Sequence, residues 1–123
     1  MICVVDDDAS MRRAFGRLIK SFGYEARLHA SGRECLDEIF IDRAACLIVD
    51  VSMPQMDGFE LHALLEASGR SVPTVFISAH EGRGYRERAR SLGAVAFLNK
   101  PCDESLLLDA IKTVLASYDA CGS

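Results

Sequence analysis

Residues 45–58 read ACLIVDVSMPQMDG. Cys46, Leu47, Ile48 and Val49 are apolar in succession, without the alternation of a strand that faces water on one side. A short run of this kind belongs inside a parallel sheet covered on both faces. It ends on Asp50, where packing would favour another hydrophobe. Pro54 and the pair Asp57-Gly58 then punctuate a loop that leads into a helix. A carboxylate at the C-terminal end of a buried strand is poorly placed for packing and well placed for chemistry.

The same pattern recurs on either side. Ile2–Val5 is a short apolar run ending in Asp6-Asp7-Asp8. Thr74–Ser78 follows Pro73, and residues 94–98 precede Asn99-Lys100-Pro101. Residues 24–29 are half polar and predict a strand at or near an edge. Between these runs the apolar period lengthens to that of a helix. Met11, Phe15, Leu18, Ile19 and Phe22 mark a helix over 9–22 that stops at Gly23. Ser31 with Glu34 forms a capping-box pattern opening a second helix, which carries Leu36, Ile39 and Phe40. A third helix runs from about 57 to 68 and stops at Gly69. An arginine-rich fourth covers about 83–92 and ends at Gly93. The last, about 103–118, shows the clearest stripe: Leu106, Leu107, Ala110, Ile111, Val114 and Leu115.

Five strands alternating with five helices predict an α/β fold. At this length the economical form is a flavodoxin-like, doubly wound, five-stranded parallel sheet of order 2-1-3-4-5, in three layers. An eight-fold barrel would need about twice the chain. The 123 residues form one domain, with its core over about 2–118. Half of the residues are hydrophobic, which excludes a disordered chain. Fourteen basic against eighteen acidic side chains give a net charge of −4 with no basic run, so no direct nucleic-acid contact is expected. Five cysteines, none spaced as CxxC, fit reduced thiols used as small hydrophobes in a cytoplasmic protein. No apolar run is long enough to span a membrane, and the N-terminus lacks a signal peptide's basic start.

In such a sheet ligands bind beyond the C-terminal strand ends, at the switch point between strands 1 and 3. That geometry brings Asp6 or Asp7 close to Asp50. Carboxylates so close repel one another unless a hard cation intervenes. An all-oxygen set suits Mg²⁺ and disfavours zinc. Lys100 offers a mobile positive charge, and Ser78 a hydroxyl able to donate to a phosphoryl oxygen. A carboxylate can itself act as a covalent nucleophile toward phosphorus.

The segments VVDDD (4–8), IVDVSMPQMDG (48–58), FISA (76–79) and FLNKP (97–101) resemble, in this order and spacing, the receiver domain of two-component response regulators. The resemblance covers Ile2 to about Ala116. It implies that Asp50 accepts a phosphoryl group from a sensor histidine kinase or a phosphotransfer protein. Asp6, Asp7, Asp50 and the backbone carbonyl of Ser52 would hold Mg²⁺. Ser78 and Phe97 would be the switch pair, Lys100 the partner of the phosphoryl group, and Lys100–Pro101 a cis peptide. Ser52 and His80 would flank the site and tune the phosphate's lifetime. The resemblance further implies no turnover enzyme, only self-catalysed phosphorylation and slow dephosphorylation. Phosphorylation would remodel the face formed by helix 4, strand 5 and helix 5. It leans toward FixJ-like receivers, hence toward a transcriptional output through a domain outside these residues, with a homodimer formed on phosphorylation. A stand-alone relay or adaptor receiver is the alternative, although the abrupt start ahead of strand 1 points to excision from a longer regulator.

Two other function classes fit less well. A haloacid dehalogenase-type Mg²⁺ phosphatase would use Asp6-Asp7-Asp8 as its Asp-x-Asp, but it needs an acidic pair after the lysine and leaves Asp50 idle. A docking module that only retains the fold would not need the whole constellation. Plain structural roles compete for single residues: Asp8 and Asp57 as helix caps, Phe97 as core, the fourth-helix arginines as a solvated face, and His29 and His62 without chemistry.

Overall fold

The computed structural model describes residues 1–37, 44–79 and 84–122, with side chains to 116. Its elements alternate as β1 (Ile2–Val5), α1 (Ala9–Ser21), β2 (Ala26–His29), α2 (Gly32–Asp37), β3 (Cys46–Asp50), α3 (Gly58–Ala67), β4 (Thr74–Ser78), α4 (Tyr85–Ser91), β5 (Ala96–Asn99) and α5 (Glu104–Gly122). All strand pairings are parallel, in the order β2-β1-β3-β4-β5. The three central strands are buried along their whole length, whereas β2 and β5, at the edges, are only partly covered. This is why β1, β3 and β4 read as unbroken apolar runs and β2 does not.

The pleat sends alternate residues to opposite faces. Cys3, Val5, Leu47, Val49 and Phe76 pack against α2, α3 and α4, through Cys35, Phe59, Leu61, Leu65 and Ala89. Ile2, Val4, Cys46, Ile48, Val75 and Ile77 pack against α1 and α5, through Phe15, Ile19, Leu107, Ile111 and Val114. Phe59 and Phe76 meet at 4.8 Å between ring centroids. Among the described residues, no helix is long and apolar enough to cross a membrane.

Element boundaries depart from the sequence pattern where helix ends capture neighbouring backbone groups. Tyr24 donates its N–H to Ile19, behind a left-handed Gly23, so β2 starts later than its apolar pattern. Likewise the N–H of Ala94 closes α4 on the Ala89 carbonyl, and β5 joins the ladder only from the Val95-to-Thr74 bond onward. Asp8 caps α1 through the N–H groups of Ser10 and Met11, at 2.9 and 3.3 Å. Asp57 and Glu60 form a reciprocal capping box on α3. At α2 the Ser31 hydroxyl accepts from Glu34, but the Glu34 carboxylate reaches the N–H of Ala30 instead of that of Ser31. The expected apolar residues Ile39 and Phe40 lie outside the described residues.

Candidate functional site

Every strand end named from the sequence, except the one continuing to His80, falls within the described residues. Asp6 and Asp50 stand one residue past β1 and at the end of β3, the two strands on either side of the switch point. Both are nearly buried, at 1% and 6% exposure, while Asp7 faces solvent. Oxygens of Asp6, Asp7 and Asp50 lie within 4.8 Å of one another. The Lys100 ammonium sits between two of these acids, donating to Asp50 Oδ2 at 2.9 Å and to Asp6 Oδ2 at 3.1 Å.

The remaining oxygens are also engaged. Asp6 Oδ1 accepts from the Asp8 N–H at 2.9 Å, and Asp50 Oδ1 from the Ser52 N–H at 3.1 Å. Arg12, on the first turn of α1, donates to the Asp6 carbonyl at 2.7 Å. The sequence reading missed that contact; its only trace is a basic residue one helical turn after the Asp8 cap, where it faces back over the acidic loop. Lys100 is tied to β4 by its backbone N–H, which donates to the Ser78 carbonyl at 2.8 Å, and its peptide bond to Pro101 is cis. Ser78 is fully buried and lies one register step beyond the Asp50–Ile77 pair.

Three carboxylates and one ammonium leave the cluster negative. Burial pushes the Asp50 carboxyl above its ordinary value, and the Lys100 ammonium offsets only part of that rise. Burial pulls on Lys100 in the opposite sense. Its hydrogen bonds to Asp50 and Asp6 outweigh that pull and hold it above its ordinary value. One cation shared by several anions gains more than any one anion does, which accounts for both directions. The surplus negative charge, carried only by oxygens and open toward solvent at Asp7, fits a hard divalent cation of the Mg²⁺ class.

The loop after β3 is tightly built. Gln55 takes a φ of 69°, and the Met56 N–H returns to the Pro54 carbonyl at 2.7 Å, a strained three-residue turn. Gly58 donates to the Val51 carbonyl at 2.9 Å, and a Cβ on it would lie 2.7 Å from the Asp50 carbonyl oxygen. The first turn of α3 therefore rests directly on the peptide that carries Asp50. The sequence had marked Gly58 only as part of a turn.

Phe97 pairs with Phe76 across β4 and β5 and is half-buried. The Arg86 guanidinium lies 5.0 Å from its ring centroid and donates to its carbonyl at 3.2 Å. Arg88 lies 4.4 Å over the Phe59 ring. The default of a merely solvated arginine face thus needs correcting for these two residues: each covers an aromatic face that α4 would otherwise leave open. His80 and Arg83 lie outside the described residues. The thiols expected in the core are there: Cys3, Cys35 and Cys46 are buried, and burial pushes the Cys46 thiol up to about 12.

With this geometry in place, comparison with known proteins is direct. The family "Response regulator receiver domain" matches residues 2–112. The chain belongs to the response regulator receiver family. It is 35% identical over 115 residues to the response regulator protein TmoT of Ectopseudomonas mendocina, covering 94% of this chain and 52% of TmoT. The crystal structure of a receiver protein from Burkholderia phymatum shares 41% identity at a TM-score of 0.80, with 94% of each chain covered. The FixJ-N crystal structure shares 26% at 0.81, covering 92% of this chain and 90% of that one. This receiver spans about half the length of the curated relatives it matches. Receivers are signal-transduction domains of two-component systems, and response regulators receive their phosphate from sensor histidine kinases.

Proposed function

We propose that Asp50 is the residue phosphorylated in this receiver, with Lys100, Ser78, Asp6 and Asp7 as its working partners. The observation that carries this is the ammonium of Lys100 bridging two nearly buried carboxylates inside an all-oxygen cluster. An ion pair kept only for stability would not need a third carboxylate facing solvent beside it.

In the reaction an oxygen of Asp50 forms a bond to phosphorus as the bond to the donor's leaving group breaks, and that group departs with the electron pair. For a phosphohistidine donor the leaving group is the imidazole, which takes up a proton. Asp50 must be ionised to attack, and Lys100 together with the Ser52 N–H favours that form. Lys100 then faces the phosphoryl oxygens with a positive charge already in place, so little reorganisation is needed. Asp6, Asp7, Asp50 and the Ser52 carbonyl would hold Mg²⁺, which when bound neutralises charge on the transferring group.

The acyl phosphate presents new acceptor oxygens beside Ser78 at the end of β4. Movement of that hydroxyl toward them would free space for Phe97, whose response must be a packing change because it has no hydroxyl. Turning inward, Phe97 has to leave Arg86, so the α4–β5–α5 face is remodelled as a population shift. Ser52, two residues after Asp50, tunes hydrolysis, and so, from its place two residues after Ser78 in the sequence, does His80. The donor is a sensor histidine kinase or phosphotransfer protein. The output is transcriptional control through a domain outside this chain, accompanied by homodimerisation; the chain covers only 52% of TmoT, which leaves room for such a domain.

The test is incubation with Mg²⁺ and acetyl phosphate followed by intact-mass measurement. A gain of one phosphate, absent in Asp50→Ala, is expected. No adduct under any condition, or an adduct that persists in Asp50→Ala, refutes the assignment.

A further inference from the structure

The receiver holds a second concavity at the pole opposite Asp50. It opens where β4 begins and where the turn between α4 and β5 ends, with α3 and α5 as its sides, and its volume is about 520 Å³. That is within the range of small-molecule sites, about 300–1,000 Å³. Val72, Pro73, Val95 and Val114 supply an apolar wall, and Leu92, a large hydrophobe left exposed, also lines it.

The polar lining is one-sided. Among the described residues, no lysine or arginine lines the cavity. Its three hydroxyls are already committed as donors: Ser71 to Glu66 Oε1 at 3.1 Å, Thr74 to the Val72 carbonyl at 2.8 Å, and Thr113 to the Asp109 carbonyl at 2.8 Å. An anion entering here would find no lysine or arginine among the described lining residues and no free hydroxyl proton.

What the cavity does offer is acceptor capacity. Glu66 is half-exposed, and its Oε2 has no partner among the described residues. Beside it His62, 7% exposed, brings Nε2 within 3.7 Å of Glu66 Oε1 and packs its ring 5.7 Å from that of Phe76. His62 Nδ1 is buried without a hydrogen-bond partner among the described residues. Buried polar atoms of this kind are uncommon and costly to keep. The phosphoryl-transfer chemistry uses neither His62 nor Glu66.

We propose that this cavity binds a small organic cation: a primary amine or amidine on a compact apolar body. The charged end would pair with Glu66 beside the His62 ring, and the body would lie on Val72, Pro73, Val95 and Val114. Association with an anion, a nucleotide included, is disfavoured by the same lining.

The experiment is an NMR titration of the ¹⁵N-labelled chain with three probes of one shape: benzylamine, benzyl alcohol and phenylacetate. Benzylamine should give saturable shifts confined to residues around 62–74, 92–95 and 113–114. Benzyl alcohol should bind about three- to tenfold more weakly, as expected for loss of a charge-assisted hydrogen bond, and phenylacetate should not bind. Glu66→Gln, at a half-exposed position, should bring benzylamine down to the level of the alcohol. Thr113→Phe, on the exposed side of α5, should block both benzylamine and benzyl alcohol while phosphorylation by acetyl phosphate continues. Absence of saturable shifts, equal affinity for the three probes, or indifference to Glu66→Gln overturns the proposal.

Discussion

Replacing glycine by alanine should have opposite signs at two helical positions of this receiver, and the difference can be worked out from the backbone. At Gly58 the new Cβ would stand 2.7 Å from the Asp50 carbonyl oxygen and 3.1 Å from the Val51 Cα. Both are main-chain atoms of the central strand end, so they cannot rotate away. Overpacking of this kind costs about 1–3 kcal/mol. The helix-propensity gain from Gly to Ala is at most about 1 kcal/mol, and it is smaller at the first residue of α3. Gly58→Ala should therefore lose about 1–2 kcal/mol, a fall in Tm of about 3–10 °C for a domain of this size. At Gly16, inside α1, the nearest atoms are the Leu28 methyls at 3.1 and 3.2 Å, and Leu28 is 40% exposed. That side chain can swing outward, so the propensity gain survives. Gly16→Ala should be neutral or more stable by up to about 1 kcal/mol. Thermal unfolding by circular dichroism reads both. Because the strain at Gly58 falls on the Asp50 peptide, phosphorylation by acetyl phosphate should slow about tenfold or more in Gly58→Ala and stay unchanged in Gly16→Ala. A Gly58→Ala protein as stable as wild type, or two substitutions that shift Tm in the same direction, would refute the reasoning.

Two further outcomes concern the acidic cluster. Burial first, offset by Lys100, raises Asp50 above its ordinary carboxyl value, so the folded state prefers the protonated acid. That contribution to stability is present below about 3.8 and is lost as pH rises through the folded value. Asp50→Asn, which leaves Lys100 paired with Asp6, should accordingly be more stable than wild type in urea at pH 7, by a margin that shrinks toward pH 4; a less stable variant at pH 7 contradicts this. Asp7 is exposed and outside the core, so Asp7→Asn should melt like wild type without metal. Mg²⁺ at about ten times its Kd should stabilise wild type by about 1.4 kcal/mol and the variant by much less. Equal Mg²⁺ shifts in the two proteins would remove Asp7 from the metal site.

Much of this was legible in one dimension because burial writes itself into composition. β1, β3 and β4 are covered on both faces, so each is an apolar run. Their order followed from alternation with helices and from the acids that end the first and third. The caps Asp8 and Asp57 were readable for the same reason: a helix start satisfies its N–H groups locally, within three residues. β2 and β5 were mis-bounded because helix C-termini claimed the N–H groups of Tyr24 and Ala94, a competition that propensity does not express.

The site divides along the same line. The residue types and spacing of Asp6, Asp7, Asp50, Ser78 and Lys100 were visible in the chain, since each ends a strand or follows one directly. Their meeting was not: Lys100 reaches acids 94 and 50 residues away only because β5 lies beyond β4 in the sheet and its backbone is pinned to Ser78. Arg86 over Phe97, Gly58 against the Asp50 carbonyl, and the cavity beside His62 left no periodic trace. Sequence alone determined the fold class and the chemical vocabulary of the site, because hydrophobic period and helix capping are local. Tertiary structure decided which charges share a proton environment, which glycine has no room for a methyl group, and where a second concavity opens. Those depend on distances between elements, and packing sets them.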